Sequence, residues 1–247
     1  MTQQIVSSEE TFARIFYDLE TIGVPIYHAM AFAIVAFADE DKAACARHVA
    51  SIASQMRLVL RNYMDNLHNK LIAHSVWLSR IQGFYAWGLG PYNEETQAWD
   101  AHNGLSGNQA LLFQALDAFL GIEQYLSHRD QERSVSKRQR ELCDALRRHS
   151  FRRALSDDAE GAEMLQSFEE ILKRLRVSAH RRRGLSNADK RVQMFRAAHR
   201  TRAKAYLTQP APERLPMTAG KSLLKADIEQ SVEFLDVFMV KRLAQTV

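Results

Sequence analysis

Turn-forming residues are scarce in this chain, with only ten glycines and five prolines among 247 residues. The long intervals between them carry apolar residues three and four apart, the period of a helix that buries one face. No period-two stretch flanked by hairpin turn signals stands out. These features predict an all-α protein. The stripe Phe12, Ile15, Phe16, Leu19, Ile22 and Ile26 marks a first helix. Ser7 and Glu10, at capping-box spacing, should open it, and Gly23 with Pro25 should kink it. After the polar break at Asp39 to Asp41 a second helix runs to about Asn69, and a third segment from Leu71 to about Trp87. Residues 88–109 read as the one clear loop. Helices are then expected at about 110–126, 134–155, 162–180, 187–207 and 223–244. No repeat or low-complexity tract interrupts the pattern. The expectation is one all-α domain over residues 1–247, with 7–126 as its first half and 127–247 as a basic second half.

With 46% hydrophobic and 25% charged residues, a chain of this length can bury a sizeable core. The N-terminus has no basic region followed by an apolar run, and the longest apolar run, Ala29 to Ala38, is too short to span a bilayer. Cys45 and Cys143 have no metal-ligand spacing and read as reduced thiols of a cytosolic protein. A membrane partner is not expected. The net charge of +4 is concentrated between Arg129 and Lys204, in runs such as Arg147-Arg148, Arg152-Arg153 and Arg181-Arg182-Arg183. A basic helical nucleic-acid binder is one reading of these runs. However, Phe151 is the single aromatic among them, too little for a base-stacking surface. A solvated basic face, or a site for the anionic groups of a cofactor, fits them better.

Phosphate loops, CxxC pairs, HExxH helices and GxSxG elbows are all absent from the sequence. Nine histidines are scattered, none four residues from another. One of them lies on an apolar stripe: Val192, Phe195, His199 and Tyr206 share a face of an arginine-rich helix. A histidine so placed is either a satisfied core residue or the single imidazole that a haem needs on its proximal side. His180, which follows the Ile171, Leu172, Leu175 stripe, is the rival ligand, although Arg181-Arg182-Arg183-Gly184 after it reads as a helix end in water.

The segment RAAHRTRAKAYLTQPA resembles the proximal-histidine helix of the indoleamine 2,3-dioxygenase family. Arg196 lies three before His199, Tyr206 seven after it and Pro210 eleven after it, as in that family. The same segment is similar to the related pyrrolnitrin-pathway enzyme that rearranges a chlorinated tryptophan. Downstream, Met217-Thr218-Ala219-Gly220 occupies the place of the family's Gly-Thr-Gly-Gly turn. A second match, residues 106–124, aligns Ser106, Gln109, Phe113, Gln114, Asp117 and Gly121 without a gap. A third keeps the spacing of Glu20, Ile52-Ala53-Ser54 and Arg80. The family's small N-terminal domain has no counterpart among these matches.

The resemblance implies the fold of the family's large haem-binding domain, haem b as the iron cofactor, and O2 chemistry on an indole or related aromatic amino acid. His199 would be the proximal metal ligand. Asp117 and Arg196 would form a buried ion pair behind it. Arg80 would be the catalytic-pocket arginine that holds the substrate carboxylate. Phe12 and Phe16 would line the substrate side, Phe16 standing where indoleamine dioxygenases have serine and tryptophan dioxygenases have histidine. Ser106 and Thr218 would contact substrate or haem propionates. A homo-oligomer, or a partner chain over the distal face, is also expected. The alternative to an oxygenase is a haem-binding or partner subunit without turnover of its own, which the missing domain and Phe16 would suit.

Overall fold

A computed structural model describes residues 2–67, 71–76, 88–102, 110–124, 127–128, 131–132, 135–155 and 159–175. Five helices build this part: α1 (Thr2–Ala38), α2 (Lys42–Asn66), α3 (Leu111–Phe119), α4 (Lys137–Arg148) and α5 (Ala159–Leu175). A single turn at His74–Val76 and a 3-10 turn at Arg152–Ala154 supplement them. Arg80, Ser106, His180, Arg196, His199, Tyr206, Pro210 and Thr218 lie outside the described residues, as do the helices expected at 187–207 and 223–244.

Helices α1 and α2 form an antiparallel hairpin around a tight reversal. Glu40 takes a left-handed φ of +58°, and the Asp41 side chain caps α2 by accepting from the Ala44 N–H at 2.9 Å. The buried stripe Ile15, Leu19, Ile26, Met30 and Ala33 of α1 meets Val49, Ile52, Met56, Val59 and Tyr63 of α2. Both follow the three-and-four spacing of a helix that buries one face. By length and composition Gln3–Ala38 is also apolar enough to cross a membrane. Its core-facing side nevertheless packs on α2 and α3.

Two local expectations are corrected. Ser7 and Glu10 do not open the first helix, because α1 already runs from Thr2. Ser8 is instead buried and accepts a hydrogen bond from the Ala73 N–H at 3.4 Å. The segment read as loop contains an antiparallel hairpin, β1 (Gly88–Asn93) with β2 (Ala98–His102), in the register Leu89 to Ala101 and Tyr92 to Trp99. Its register shifts between Leu89 and Tyr92, at Gly90-Pro91. Proline cannot donate to a ladder and glycine weakens one, so the bulge hides the period-two pattern. This hairpin is an appendage; the architecture of the described residues is all-α.

Helix α3 is shorter than expected. It stops at Phe119 because Gly121 turns the chain with φ +68°, and Ile122 N–H then reaches back to the Asp117 carbonyl at 2.8 Å. Helix α4 starts at a capping box, Ser136 with Gln139, and α5 lies against α2. Phe151 stacks on Phe37 at 4.3 Å between ring centroids and meets Phe119 and Phe168 edge-on. These four rings join α1, α3 and α5.

Candidate functional site

Along α1, residues 8, 12, 16 and 20 fall one turn apart, and each has a distinct task. Ser8 ties α1 to the chain before His74–Val76. Phe12 and Phe16 are partly buried and pack edge-to-face, with centroids 5.2 Å apart and rings inclined by 74°. This is a favoured aromatic geometry, and it lies one turn from a carboxylate. The i, i+4 spacing brings the two rings onto one face of α1.

Glu20, the carboxylate next along, bridges two elements. Its Oε1 accepts from the Leu112 N–H at 3.1 Å, and its Oε2 accepts from the Tyr27 hydroxyl at 2.5 Å. Ala110, which precedes α3, offers no side-chain cap, so Glu20 satisfies a first-turn donor of α3 from 92 residues away. Burial first, then the Glu20 hydrogen bond and charge, raise the Tyr27 phenol well above its ordinary range. Tyr27 is therefore a fixed neutral donor. The two helices come close here: a Cβ at Gly23 would lie 2.8 Å from Leu112 Cδ2. Gly23 thus serves close approach.

Helix α3 buries Leu112, Ala115, Leu116, Ala118 and Phe119. Amid these stands Asp117, only 6% exposed. A carboxylate this deep needs a compensating donor or cation to stay ionised, and Asp117 is partnered. Its expected partner, Arg196, lies outside the described residues. Phe113, from the same matched segment, packs perpendicular to Tyr63 of α2 at 6.1 Å. Helix α3 is thereby clamped on the core while carrying a buried carboxyl group.

The described part of the basic half serves this scaffold. Ser150 Oγ donates to the Phe119 carbonyl at 2.7 Å, Arg152 Nε to the Leu120 carbonyl at 2.9 Å and an Arg153 guanidinium nitrogen to the Gly121 carbonyl at 3.3 Å. Arg147 pairs with Asp144. Phe151 is buried in the core and is not a base-stacking surface. Burial pushes both the Cys45 and Cys143 thiols up to about 11, so each is a core thiol and not a nucleophile. Among the described residues no cluster of three His, Cys, Asp or Glu is arranged to hold a metal.

The structure therefore brings Phe12 and Phe16 together and buries Asp117, and it adds Glu20, Tyr27 and Gly23 as the joint between α1 and α3. The gap-free spacing of Glu20 relative to Arg80 singled that carboxylate out, yet not its capping role. No curated protein matches this chain. The family profile described as indoleamine 2,3-dioxygenase matches residues 2–236.

Proposed function

Because this chain belongs to the indoleamine 2,3-dioxygenase family, whose enzymes bind haem, we propose that it is a haem-dependent oxygenase acting with O2 on an indole or related aromatic amino acid. The observation that carries this reading is a family match extending over residues 2–236. Two local features fit a haem-binding domain. The paired rings of Phe12 and Phe16 supply an apolar wall. The buried, partnered Asp117 is a carboxyl group of the kind that orients a metal ligand from behind.

In this reading His199 is the iron ligand, with His180 its rival, and haem b is the cofactor. Arg196, paired with Asp117, orients the helix that carries His199. Ser106 and Thr218 hold propionates or substrate. When bound, haem supplies an iron that activates O2. Arg80 grips the substrate carboxylate through charge-assisted hydrogen bonds, which place the ring for reaction. Phe12 and Phe16 pack against the aromatic ring. Phe16 offers no hydrogen bond, so the substrate is held by its carboxylate and by ring packing more than by a polar contact at this position. Ring-opening dioxygenation, hydroxylation and rearrangement all remain compatible with such a site, since a scaffold does not determine a reaction.

The test is the absorption spectrum of haem-supplemented protein, ferric and ferrous-CO, beside His199→Ala and His180→Ala. A Soret band lost in His199→Ala and kept in His180→Ala is expected. The reverse pattern would move the ligand to His180. A folded wild type without a Soret band would overturn the haem reading. Arg80→Ala should raise KM for an aromatic amino acid while leaving the ferric spectrum unchanged.

A further inference from the structure

Among the described residues, packing on α2 and α3 leaves one side of α1 outside. Tyr17, Thr21, Val24, His28, Ala31 and Val35 are all exposed, at alternating spacings of four and three. Tyr17 is 71% exposed, Val35 56% and Val24 46%; Phe32, beside the row, is 57% exposed. A four-three alternation keeps a straight seam along a helix and is the pattern by which one helix lies along another. The 18 residues from Thr21 to Ala38 contain no Asp, Glu, Lys or Arg. Earlier on the same face the row is polar, with Gln3, Ser7, Glu10 and Arg14. The apolar part is thus a bounded patch, and apolar patches rimmed by polar residues mark interaction sites.

We propose that this seam is the docking surface for a second copy of the chain, the two α1 helices lying antiparallel about a two-fold axis. The charge pattern favours that occupant. In the register that sets Tyr17 against Val35 of the second copy, Thr21 meets Ala31 and Val24 meets His28, and the axis repeats each layer. The same register brings Arg14 beside the exposed acidic turn Asp39-Glu40 of the other copy. Each end of the seam carries the charge that the other end calls for, as a self-complementary two-fold interface demands. A bilayer suits the helix less well. Its opposite side is committed to protein through buried Ser8 and the Glu20–Tyr27 pair, and the acidic turn would be repelled by anionic headgroups.

The inference stands apart from the chemistry proposed above. Its test is sedimentation velocity of the full chain, wild type beside Val24→Glu/Val35→Glu, with circular dichroism to verify folding. A wild-type dimer weakened at least about tenfold in the variant is expected, since the pair places four carboxylates in an interface core. Register is read by oxidation of Tyr17→Cys/Val35→Cys. These positions lie about 27 Å apart along one helix, so a disulfide between them must join two chains. Cross-linked dimer from the double variant, and none from either single variant, is expected. A monomeric wild type, a dimer indifferent to the glutamates, or cross-linking by Tyr17→Cys alone would each overturn the proposal. Co-flotation of a monomer with phosphatidylcholine–phosphatidylserine vesicles would overturn it in favour of lipid.

Discussion

The two ends of α3 are both finished by side chains from elsewhere in the chain, but by opposite strategies. At the N-terminal end one carboxylate, Glu20, makes both contacts, to the Leu112 N–H and to the Tyr27 hydroxyl. At the C-terminal end three side chains, Ser150, Arg152 and Arg153, take one carbonyl each. Gly121 shapes the turn beside them, and Phe151 anchors the segment in the core. A single-point joint concentrates the cost of failure in one residue, whereas a distributed one shares it. The concentrated end lies one turn from the Phe12–Phe16 pair, so the helix carrying Asp117 is tied to the aromatic wall through Glu20.

Replacing Glu20 should therefore have the largest effect of the variants considered. Glu20→Ala strands a first-turn N–H of α3 and the half-buried Tyr27 hydroxyl together. Each unsatisfied group costs about 1–3 kcal/mol, so a total loss of about 2–6 kcal/mol is expected in urea unfolding at neutral pH. Glu20→Gln keeps an acceptor for Leu112 and can offer its amide to the tyrosine oxygen; it should recover more than half of that loss. Equal damage from both variants would mean that the negative charge at the helix start matters more than the hydrogen bonds.

Much of this arrangement could be read before any coordinates, and the remainder could not for identifiable reasons. The stripe of α1, Phe12 and Phe16 included, is legible in the sequence because that helix buries a continuous face. Asp117 is singled out by resemblance; it is buried in α3, and Arg196, its expected partner, lies outside the described residues. Glu20 was noticed, but its contact with Leu112 spans 92 residues, and no local pattern encodes so remote a partner. Arg152 and Arg153 read as members of a solvated basic run. Composition alone cannot distinguish a guanidinium in water from one capping a carbonyl, because both leave the same charged residue near a helix end. The hairpin at Gly88–His102 was missed because Gly90-Pro91 breaks its alternation. His199, Arg80, Ser106, Arg196 and Thr218 are untouched by these comparisons, since they lie outside the described residues.

A smaller effect, separating the two ends by pH, is expected under alkaline conditions. The N-terminal joint has titratable neighbours: Tyr27 is raised by burial and by Glu20, and the charge of Cys143 adds to that shift. Burial pushes the Cys143 thiol from 9.0 to about 11, with Arg147 opposing the shift. A folded-state value above the unfolded one means that stability is fully present below pH 9 and is lost as pH rises towards about 11. Cys143→Ala removes that dependence. The stability difference between wild type and Cys143→Ala should shrink by on the order of 2 kcal/mol across this window. Urea titrations at pH 8, 9.5 and 11 measure it, and a pH-independent difference would mean that the folded-state thiol is not shifted.

The smallest effect belongs to Arg152, and its size decides whether the C-terminal joint is in fact distributed. Arg152→Ala removes the donor to the Leu120 carbonyl and leaves those from Ser150 and Arg153 in place. Burial disfavours the Arg152 charge, with Arg153 beside it adding repulsion, so part of what the hydrogen bond contributes is already offset. A loss of about 0.5–1.5 kcal/mol is expected, the net value of one hydrogen bond. The sharper measurement is the cycle with Ser150→Ala. If the two donors act independently, their losses add within about 0.5 kcal/mol. If Phe151, which sits between them in sequence, holds them as one unit, the second substitution costs much less than the first, because the turn has already been released. Only additive losses match a joint that shares its load. A strongly sub-additive pair would make the C-terminal end another single-point joint, with Phe151 in the place that Glu20 takes at the other end.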